Sequence, residues 1–465
     1  MELKGRKVVV LGLGDTGLSM ARWLARRGAD VRVADTRADP PHAATLAREL
    51  PRIALARGAF GEATLRGADL VAISPGLDRR AGPVAGALQR GVPVVGDIEL
   101  FAQALRERVS RQPSAVSPKV LAITGSNGKS TVTAMTGEIC RAAAHRAVVA
   151  GNIGTPVLDA LTAIEDGTPA PEVFVLELSS FQLESTTSLE PDASAMLNLT
   201  EDHLDRYAGL KDYAAAKARV FAGEGVQVLN RDDRWSLGMA RKGRAVRTFG
   251  LGEPRAEMEW GMRGAGGAVA LARGAQSLMA LSELPVAGLH NAANALAAHA
   301  LAHAIGAPDE ALARALRSFR GLPHRMQHVA EHEGVRFLDD SKGTNVGATV
   351  AALAGLRQPV VLIAGGDGKG QDFAPLAPAV AARARAVVLI GRDAEKLAAA
   401  LAGSGVPLER AAGMDEAVQA AFRASRAGDA VLLSPACASY DMFRDYVHRA
   451  EAYVAAVRRL TGGGG

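Results

Sequence analysis

Short, unbroken apolar runs alternate with longer stretches of helical period along most of this chain, and the runs end in glycine or a polar loop. Runs of this kind are strands buried on both faces, so the pattern predicts parallel sheets with helices between the strands. Residues 7–14 read as a strand running into Gly12-Leu-Gly14-Asp15-Thr16-Gly17. A helix is expected from about Leu18 to Arg27, ended by Gly28, and Asp30 to Asp35 makes the next strand. Val71 to Ile73 and Val92 to Val95 add two more, giving a small doubly wound α/β unit. Val120 to Ile123 and Val173 to Leu176 are the next buried runs, and further strands are expected at 336–338, 359–364, 386–390 and 430–433. Residues 255–285 are glycine-rich and alternate weakly, which predicts β-hairpins rather than core.

Two breaks divide the pattern. Arg106 to Lys119 is rich in proline and serine and has no period, as linkers are. Gly321-Leu-Pro323 interrupts the chain again after a long alanine-rich helix that starts near Gly288 with Asn291 as its expected cap. The expectation is an α/β protein of three domains: an N-terminal Rossmann-like domain at 1–98, a central phosphate-loop ATPase-type domain at 99–322, and a C-terminal Rossmann-like α/β domain at 323–465. A length of 465 residues agrees with about three domains. The terminal run of glycines is read as a tail outside the fold.

The loops between elements carry the chemistry. After Val120–Ile123 the chain reads Thr124-Gly125-Ser126-Asn127-Gly128-Lys129-Ser130-Thr131. A strand feeding a glycine turn into a helix start aims backbone N–H groups and the helix dipole at one point, which suits phosphate. Lys129 adds a cation for the outer phosphates, and a hydroxyl of Ser130 or Thr131 can ligate Mg²⁺. Ile123 stands where the longer Walker pattern has glycine, so the motif is the shorter G-x-x-G-K-S. Glu177 closes an apolar strand, where ligands of open α/β sheets gather, and is placed to hold that metal; the plain alternative is a strand-end acid in water. His203, among acids in Thr200-Glu-Asp-His203-Leu-Asp205, is either a metal ligand or a solvated histidine. Lys217 has no visible partner, and its default reading is an exposed helix lysine. Asn291 and Asn294 share a helix face and offer paired donors and acceptors to a heterocycle. In the third domain, polar residues sit on three strand-end loops, 339–345, 365–370 and 434–440, which together predict a pocket. The first loop, with Asp35 at the end of the second strand, matches the G-x-G-x-x-G fingerprint of a dinucleotide fold. The same geometry suits any diphosphate at a helix N-terminus.

Composition narrows the partners. The formal charge is +5 and aromatic residues are 4%, with lysine and arginine scattered, so the footprint of a nucleic-acid binder is missing. Mild basicity fits small anions. Two cysteines, Cys140 and Cys437, cannot make a disulfide framework, no apolar run reaches membrane-spanning length, and Met-Glu-Leu-Lys-Gly is no signal peptide. A cytoplasmic protein without nucleic-acid partners or membrane insertion is expected.

Taken in order, Gly125–Thr131, Leu176-Glu-Leu-Ser-Ser-Phe-Gln182, Thr200–His203, Gly288-Leu-His-Asn291-Ala-Ala-Asn294, Gly321-Leu-Pro-His324-Arg325 and Asp340-Ser-Lys342 resemble the Mur ligases of peptidoglycan precursor synthesis. Gly12–Ser19, Asp35-Thr36-Arg37 and Leu433-Ser-Pro-Ala-Cys-Ala-Ser439 resemble the members that add D-glutamate. The resemblance implies that the first domain binds a uridine diphosphate, with Gly14, Asp15, Thr16, Asp35, Thr36 and Arg37 at uracil and diphosphate, and Gly76, Asn152 and His203 further along the nucleotide-sugar. It implies ATP at Gly125, Ser126, Asn127, Gly128, Lys129, Ser130 and Thr131, with Asn291 and Asn294 at adenine, Asp340 at ribose and Arg325 at phosphate. Magnesium would be held by Ser130, Thr131, Glu177, His203 and Lys217, the last as a carbamate. Thr344, Lys369, Ser439 and the backbone near Tyr446 would receive the two carboxylates of D-glutamate. Asp15, Gly343 and Tyr440 depart from the family's pattern, and the linker before Lys119 is longer than usual.

The implied reaction joins a carboxylate and an amine at the expense of ATP through an acyl phosphate. Lys129, Lys342 and Mg²⁺ would offset the meeting of two anions, Lys217 would support the metal, and His324 would take the amine proton. The implied substrates are UDP-N-acetylmuramoyl-L-alanine, D-glutamate and ATP, and the expected active unit is a monomer. Competing readings are a sister ligase for another amino acid, a folate polyglutamate ligase, an NAD-dependent oxidoreductase and a non-catalytic nucleotide switch. The second nucleotide loop at 125–131 argues against the oxidoreductase, and the third-domain loops argue against the switch.

Overall fold

The computed structural model describes residues 2–80, 82–111, 117–264, 268–286 and 288–462. The middle of the predicted linker, the centre of the 255–285 stretch and the last three glycines lie outside the described residues. Among those described, the strands form three sheets. The first contains β1 (Lys7–Leu11), β2 (Asp30–Asp35), β3 (Leu55–Arg57), β4 (Leu70–Ile73) and β5 (Val94–Val95) in the order β3-β2-β1-β4-β5, all parallel. The order reverses beside β1, and the loops after β1 and β4 open at that switch point.

The second sheet contains β6 (Lys119–Thr124), β7 (Ala147–Gly151), β8 (Val173–Glu177), β9 (Ala193–Met196), β10 (Val226–Asn230), β11 (Val246–Phe249), β12 (Glu259–Arg263), β13 (Ala270–Arg273) and β14 (Gln276–Ala280). Its order is β14-β13-β12-β11-β10-β9-β6-β8-β7. The glycine-rich stretch is thus a meander that extends this sheet, and it does contribute core. Trp260 and Leu271 are fully buried in the cluster that also holds Val132 and Leu296. Weak alternation hid this because the strands are short and their buried positions are adjacent, Trp260 with Gly261 and Leu271 with Ala272, rather than alternating.

The helix Leu289–Ala304 packs on the helix Lys129–Ala142, and its Ala292, Ala295 and Ala298 are fully buried. Small side chains let the two backbones approach closely, so the alanine content is a packing device rather than a mark of exposure. Its N-cap is Gly288, with Asn291 a turn inside, which corrects the cap expected from sequence. The first helix likewise starts at Asp15, three residues earlier than expected, so Gly14 is its N-cap.

The third sheet contains β15 (Gln327–His332), β16 (Val335–Asp339), β17 (Val360–Gly365), β18 (Ala384–Ile390), β19 (Leu408–Arg410) and β20 (Ala430–Leu433) in the order β15-β16-β20-β17-β18-β19. Only β15 runs antiparallel. Because β16, β20 and β17 are neighbours, the three polar loops that follow them share one edge. No described helix is long and apolar enough to cross a membrane, and Cys140 and Cys437 are buried and free.

Candidate active site

The loop 125–128 leaves an interior strand of the second sheet, with β8 on one side of β6 and β9 on the other. Glu177 therefore ends the strand on one flank, and Asp202 and His203 follow the strand on the other. Gly128 adopts φ 84°, and a Cβ there would meet Asn294 Oδ1 at 2.7 Å, so only glycine lets the loop close against Asn294. Asn294 Nδ2 also donates to Asn291 Oδ1 at 3.2 Å. With Asn127, Thr131, Arg325 and Asp340, these residues line a cleft of about 870 Å³ between the central and C-terminal units.

Two lysines meet at the phosphate loop. Lys129 Nζ donates to the Gly125 and Ser126 carbonyls, both at 2.8 Å, and Lys217 Nζ donates to the same Gly125 carbonyl at 2.8 Å. Lys217 is 1% exposed, which overturns its default reading as a surface residue. A nine-residue helix, Leu210–Ala218, turns it inward over the Tyr213 ring. Burial, then the charge of Lys129, drive the Lys217 amine well below its ordinary pKa, so a neutral, nucleophilic amine is accessible there. Burial also lowers Lys129.

Glu177 is 1% exposed; its Oε1 accepts from Asn152 Nδ2 at 2.7 Å, while Oε2 has no partner. A buried carboxylate oxygen left open beside a phosphate loop is a costly arrangement that a cation relieves. Burial lowers His203 to about 4, so its ring is neutral and able to ligate, and its positive φ (56°) and contact with Phe181 hold it in place. Ser130 is buried at the helix start, with its hydroxyl accepting from Arg325 Nη2 at 3.0 Å. Among the described residues no group of three or more His, Cys, Asp and Glu side chains forms a metal site by itself. The donors here are one carboxylate, one imidazole, hydroxyls and a lysine able to become an anion, a set that fits a hard divalent cation.

The C-terminal loops reach this centre. His324 Nδ1 bonds Asp339 Oδ2 at 2.7 Å, leaving Nε2 as the free ring nitrogen. Lys342 lies over the Tyr446 ring, and burial with the Arg325 charge lowers its amine to about 8. Asp340 is buried and pushed up to about 7, with Ser434 Oγ donating to it at 2.7 Å. Lys369 pairs with Asp202, and Asn345 Nδ2 reaches Asn127 Oδ1 and Asp202 Oδ2, each at 3.1 Å. Ser439 is buried on the third loop, which joins the first where Ala436 N donates to the Gly343 carbonyl at 3.0 Å, while Tyr440 stands exposed beside it. Asp202 and Asn345 went unnoticed in the sequence. Thr200-Glu-Asp-His carries two acids, and nothing local says which one meets a lysine 167 residues away.

The N-terminal loop forms a separate centre. Asp35 Oδ2 accepts from Leu13 N at 2.7 Å and Arg37 Nη2 at 2.6 Å, and Oδ1 accepts from Arg37 N and Nε. The Arg37 guanidinium and these backbone bonds hold Asp35 down at about 2. Both oxygens are engaged within the chain, unlike an acid left open for a dinucleotide ribose. Gly14 and Thr16 frame the helix start, Thr36 is exposed, and Asp15 turns outward to His42 Nε2 at 2.6 Å. Gly76 follows β4, and the neighbouring Pro75 carbonyl accepts from Arg206 at 3.3 Å, linking this loop to the His203 segment.

Models of the Mur ligase MurD-like N-terminal domain, the Mur ligase middle domain and the Mur ligase glutamate ligase domain match residues 6–96, 123–302 and 324–437. The chain belongs to the Mur ligase family.

Among relatives, the UDP-N-acetylmuramoylalanine--D-glutamate ligase of Thiobacillus denitrificans is 58% identical over 99% of this chain and 98% of its own. The enzyme of the same name from Nitrosospira multiformis is 57% identical over 99% and 97%. The fold is shared with UDP-N-acetylmuramate-alanine ligase MurC of Thermotoga maritima (TM-score 0.61, 19% identity, 98% of this chain and 100% of that one). It is shared also with MurF of Acinetobacter baumannii (TM-score 0.60, 17% identity, 97% and 93%). In this Mur ligase the first glycine loop is therefore not evidence for a nicotinamide cofactor, and the expected three-domain α/β architecture of the family is present.

Proposed function

We infer that this chain is an ATP-dependent ligase that joins D-glutamate to UDP-N-acetylmuramoyl-L-alanine in cytoplasmic peptidoglycan precursor synthesis. The observation that carries this reading is that relatives bearing that activity in their names match at up to 58% identity over nearly the whole chain. Domain limits of 1–98, 99–322 and 323–465 and a monomeric active unit are part of the same proposal.

In this reading the diphosphate of the precursor lies on Gly14, Asp15 and Thr16, with Asp35 holding Arg37 and the loop to Thr36 in shape. Gly76, Asn152 and His203 guide the sugar toward the centre. The ATP phosphates take the N–H groups of 125–131, and Lys129 leaves its own loop carbonyls for them. Asn291 and Asn294 receive adenine, Asp340 the ribose, and Arg325 a phosphate. Magnesium bound by Ser130, Thr131, Glu177, His203 and the Lys217 carbamate would spread the charge of two converging anions.

The precursor's carboxylate attacks the γ-phosphate, forming a C–O–P bond as ADP leaves. Lys342, whose amine remains largely protonated at neutral pH, offsets the charge that builds on the transferring group. Thr344, Lys369, Ser439 and the Tyr446 backbone hold the D-glutamate carboxylates. His324 Nε2 takes the ammonium proton, with Asp339 orienting the ring, and the neutral amine attacks the acyl carbon as phosphate departs. The test is an acceptor panel scored by phosphate release with the uridine precursor present. D-glutamate should be preferred over L-glutamate, D-alanine and diamino acids. Preference for another acceptor would remove the D-glutamate assignment, and no acceptor-dependent release would remove the ligase reading.

A further inference from the structure

Arg449 lies in the first turn of the helix Tyr446–Leu460 and is 1% exposed. None of its hydrogen-bond partners is charged. Nε donates to Ser341 Oγ at 3.1 Å, Nη2 to the Ser341 carbonyl at 2.8 Å, and Nη1 to the Cys437 carbonyl at 3.0 Å. Ser341 Oγ in turn donates to the Tyr446 carbonyl at 2.8 Å. One planar fork thus ties together the loop after β16, the loop after β20 and the start of the last helix. A guanidinium buried without a carboxylate partner is expensive, and three fixed acceptors only partly offset that cost.

The tied segments are those that carry the acceptor pocket. Ser341 precedes Lys342 and Thr344 on one loop, Cys437 precedes Ser439 on another, and Tyr446 opens the helix. A second tie spans the remaining loop, where Gln371 Nε2 donates to the Ala436 carbonyl at 2.7 Å and its Oε1 accepts from Val346 N at 2.8 Å. Ala436 between them holds a left-handed φ of 57°, a conformation a free alanine disfavours and these bonds maintain.

We propose that Arg449 is a positioning residue for the acceptor amino acid: it holds the Ser341 and Cys437 backbones, and with them the loop segments that carry Thr344 and Ser439, and its buried positive charge, which nearby Asp339, Asp340 and Asp441 offset only in part, favours a dianionic acceptor over a monoanionic one. The proposal rests on the reading of these loops as the D-glutamate pocket. Lysine cannot reproduce the fork, and glutamine cannot reproduce the charge, so the two contributions separate.

The experiment is steady-state kinetics of the full chain with each substrate varied in turn, for wild type, Arg449→Lys, Arg449→Gln, Arg449→Ala and Ser341→Ala. KM for D-glutamate should rise at least tenfold in Arg449→Gln and Arg449→Ala, less in Arg449→Lys, and severalfold in Ser341→Ala. KM for ATP and for the uridine precursor should stay within twofold, and millimolar guanidinium should restore part of the Arg449→Ala loss. Equal changes in all three KM values, or a lowered melting temperature with D-glutamate KM unchanged, would overturn the proposal. If the Arg449 variants do not fold, Ser341→Ala decides, and an unchanged D-glutamate KM there overturns it. Should the wild type itself prefer another acceptor, the pocket assignment falls instead, and the same variants read with that acceptor decide the role of Arg449.

Discussion

The chain contains two glycine turns that each lead a parallel strand into a helix, at 12–17 and at 125–131, and they differ in what they do with charge. At the first, the acid is sealed: Asp35 gives both oxygens to Leu13 and Arg37 and stays ionised to about pH 2. No lysine stands in the loop, and the helix start offers backbone N–H groups and the Thr16 hydroxyl. At the second, charges are left unsatisfied. Glu177 Oε2 has no partner, Lys129 rests on its own loop carbonyls, and Lys217 is buried beside it with its protonated form penalised. One backbone motif can thus stand in a closed network of charges or in an open one. The difference lies in whether surrounding side chains complete their interactions before the ligand arrives.

The sharpest way to break this contrast is Lys129→Ala. Turnover should fall by about a thousandfold or more, as for loss of a key transition-state charge, while precursor affinity at the first loop stays nearly unchanged. Isothermal titration with the uridine precursor checks the second half, and a parallel loss of its affinity would mean the two loops are not separate sites.

Lys217→Ala comes next, with an expected loss on the order of a hundredfold or more. Added formate or acetate should recover part of the activity by replacing the missing anion. Full activity in the variant would leave the buried amine as a structural bond to Gly125 only.

Lys369→Ala should weaken D-glutamate by roughly ten- to a hundredfold, since a charge-assisted bond contributes about 1.5–3 kcal/mol. ATP affinity should move little. The variant also removes the cation beside Asp202, now held at about 2 by Lys369 and His203. Titration of Asp202 should therefore shift upward, as proton-resolved NMR would report.

The last effect is on stability alone and concerns the junction of the first two domains. Asp97 is buried, accepts from Gln182 Nε2 at 3.1 Å, and is pushed up to about 6 by burial. Its folded pKa lies above the unfolded value near 4, so the fold binds the proton more tightly between them. Stability should thus decline as pH rises from about 4 to about 6 and stay level above. Asp97→Asn should flatten that decline, gaining on the order of 3 kcal/mol over wild type at pH 8 and little at pH 4. Urea denaturation at the two pH values measures it, and parallel pH profiles would exclude the role of Asp97.

Legibility differed in kind between elements and contacts. Strands such as Leu70–Ile73 and Ala430–Leu433 could be read directly because both faces are buried and the apolar run has no interruption. The meander around Trp260 could not, because its core contribution depends on the helix Leu289–Ala304 lying over it. Both phosphate-type loops were visible, since a glycine turn at a helix start depends only on neighbours in sequence.

The sequence by itself therefore determined the α/β architecture, the two glycine turns at helix starts and the polar strand-end loops of the third domain. Local spacing, side-chain size and backbone freedom are enough for those. Only the tertiary structure decided that Lys217 is buried at the phosphate loop, that Asp35 is locked by Arg37, that Lys369 meets Asp202 and that Arg449 binds two loop backbones. These facts concern the protonation and pairing of charges. Both depend on how much water each group loses and on partners far away in the chain, which no local pattern encodes.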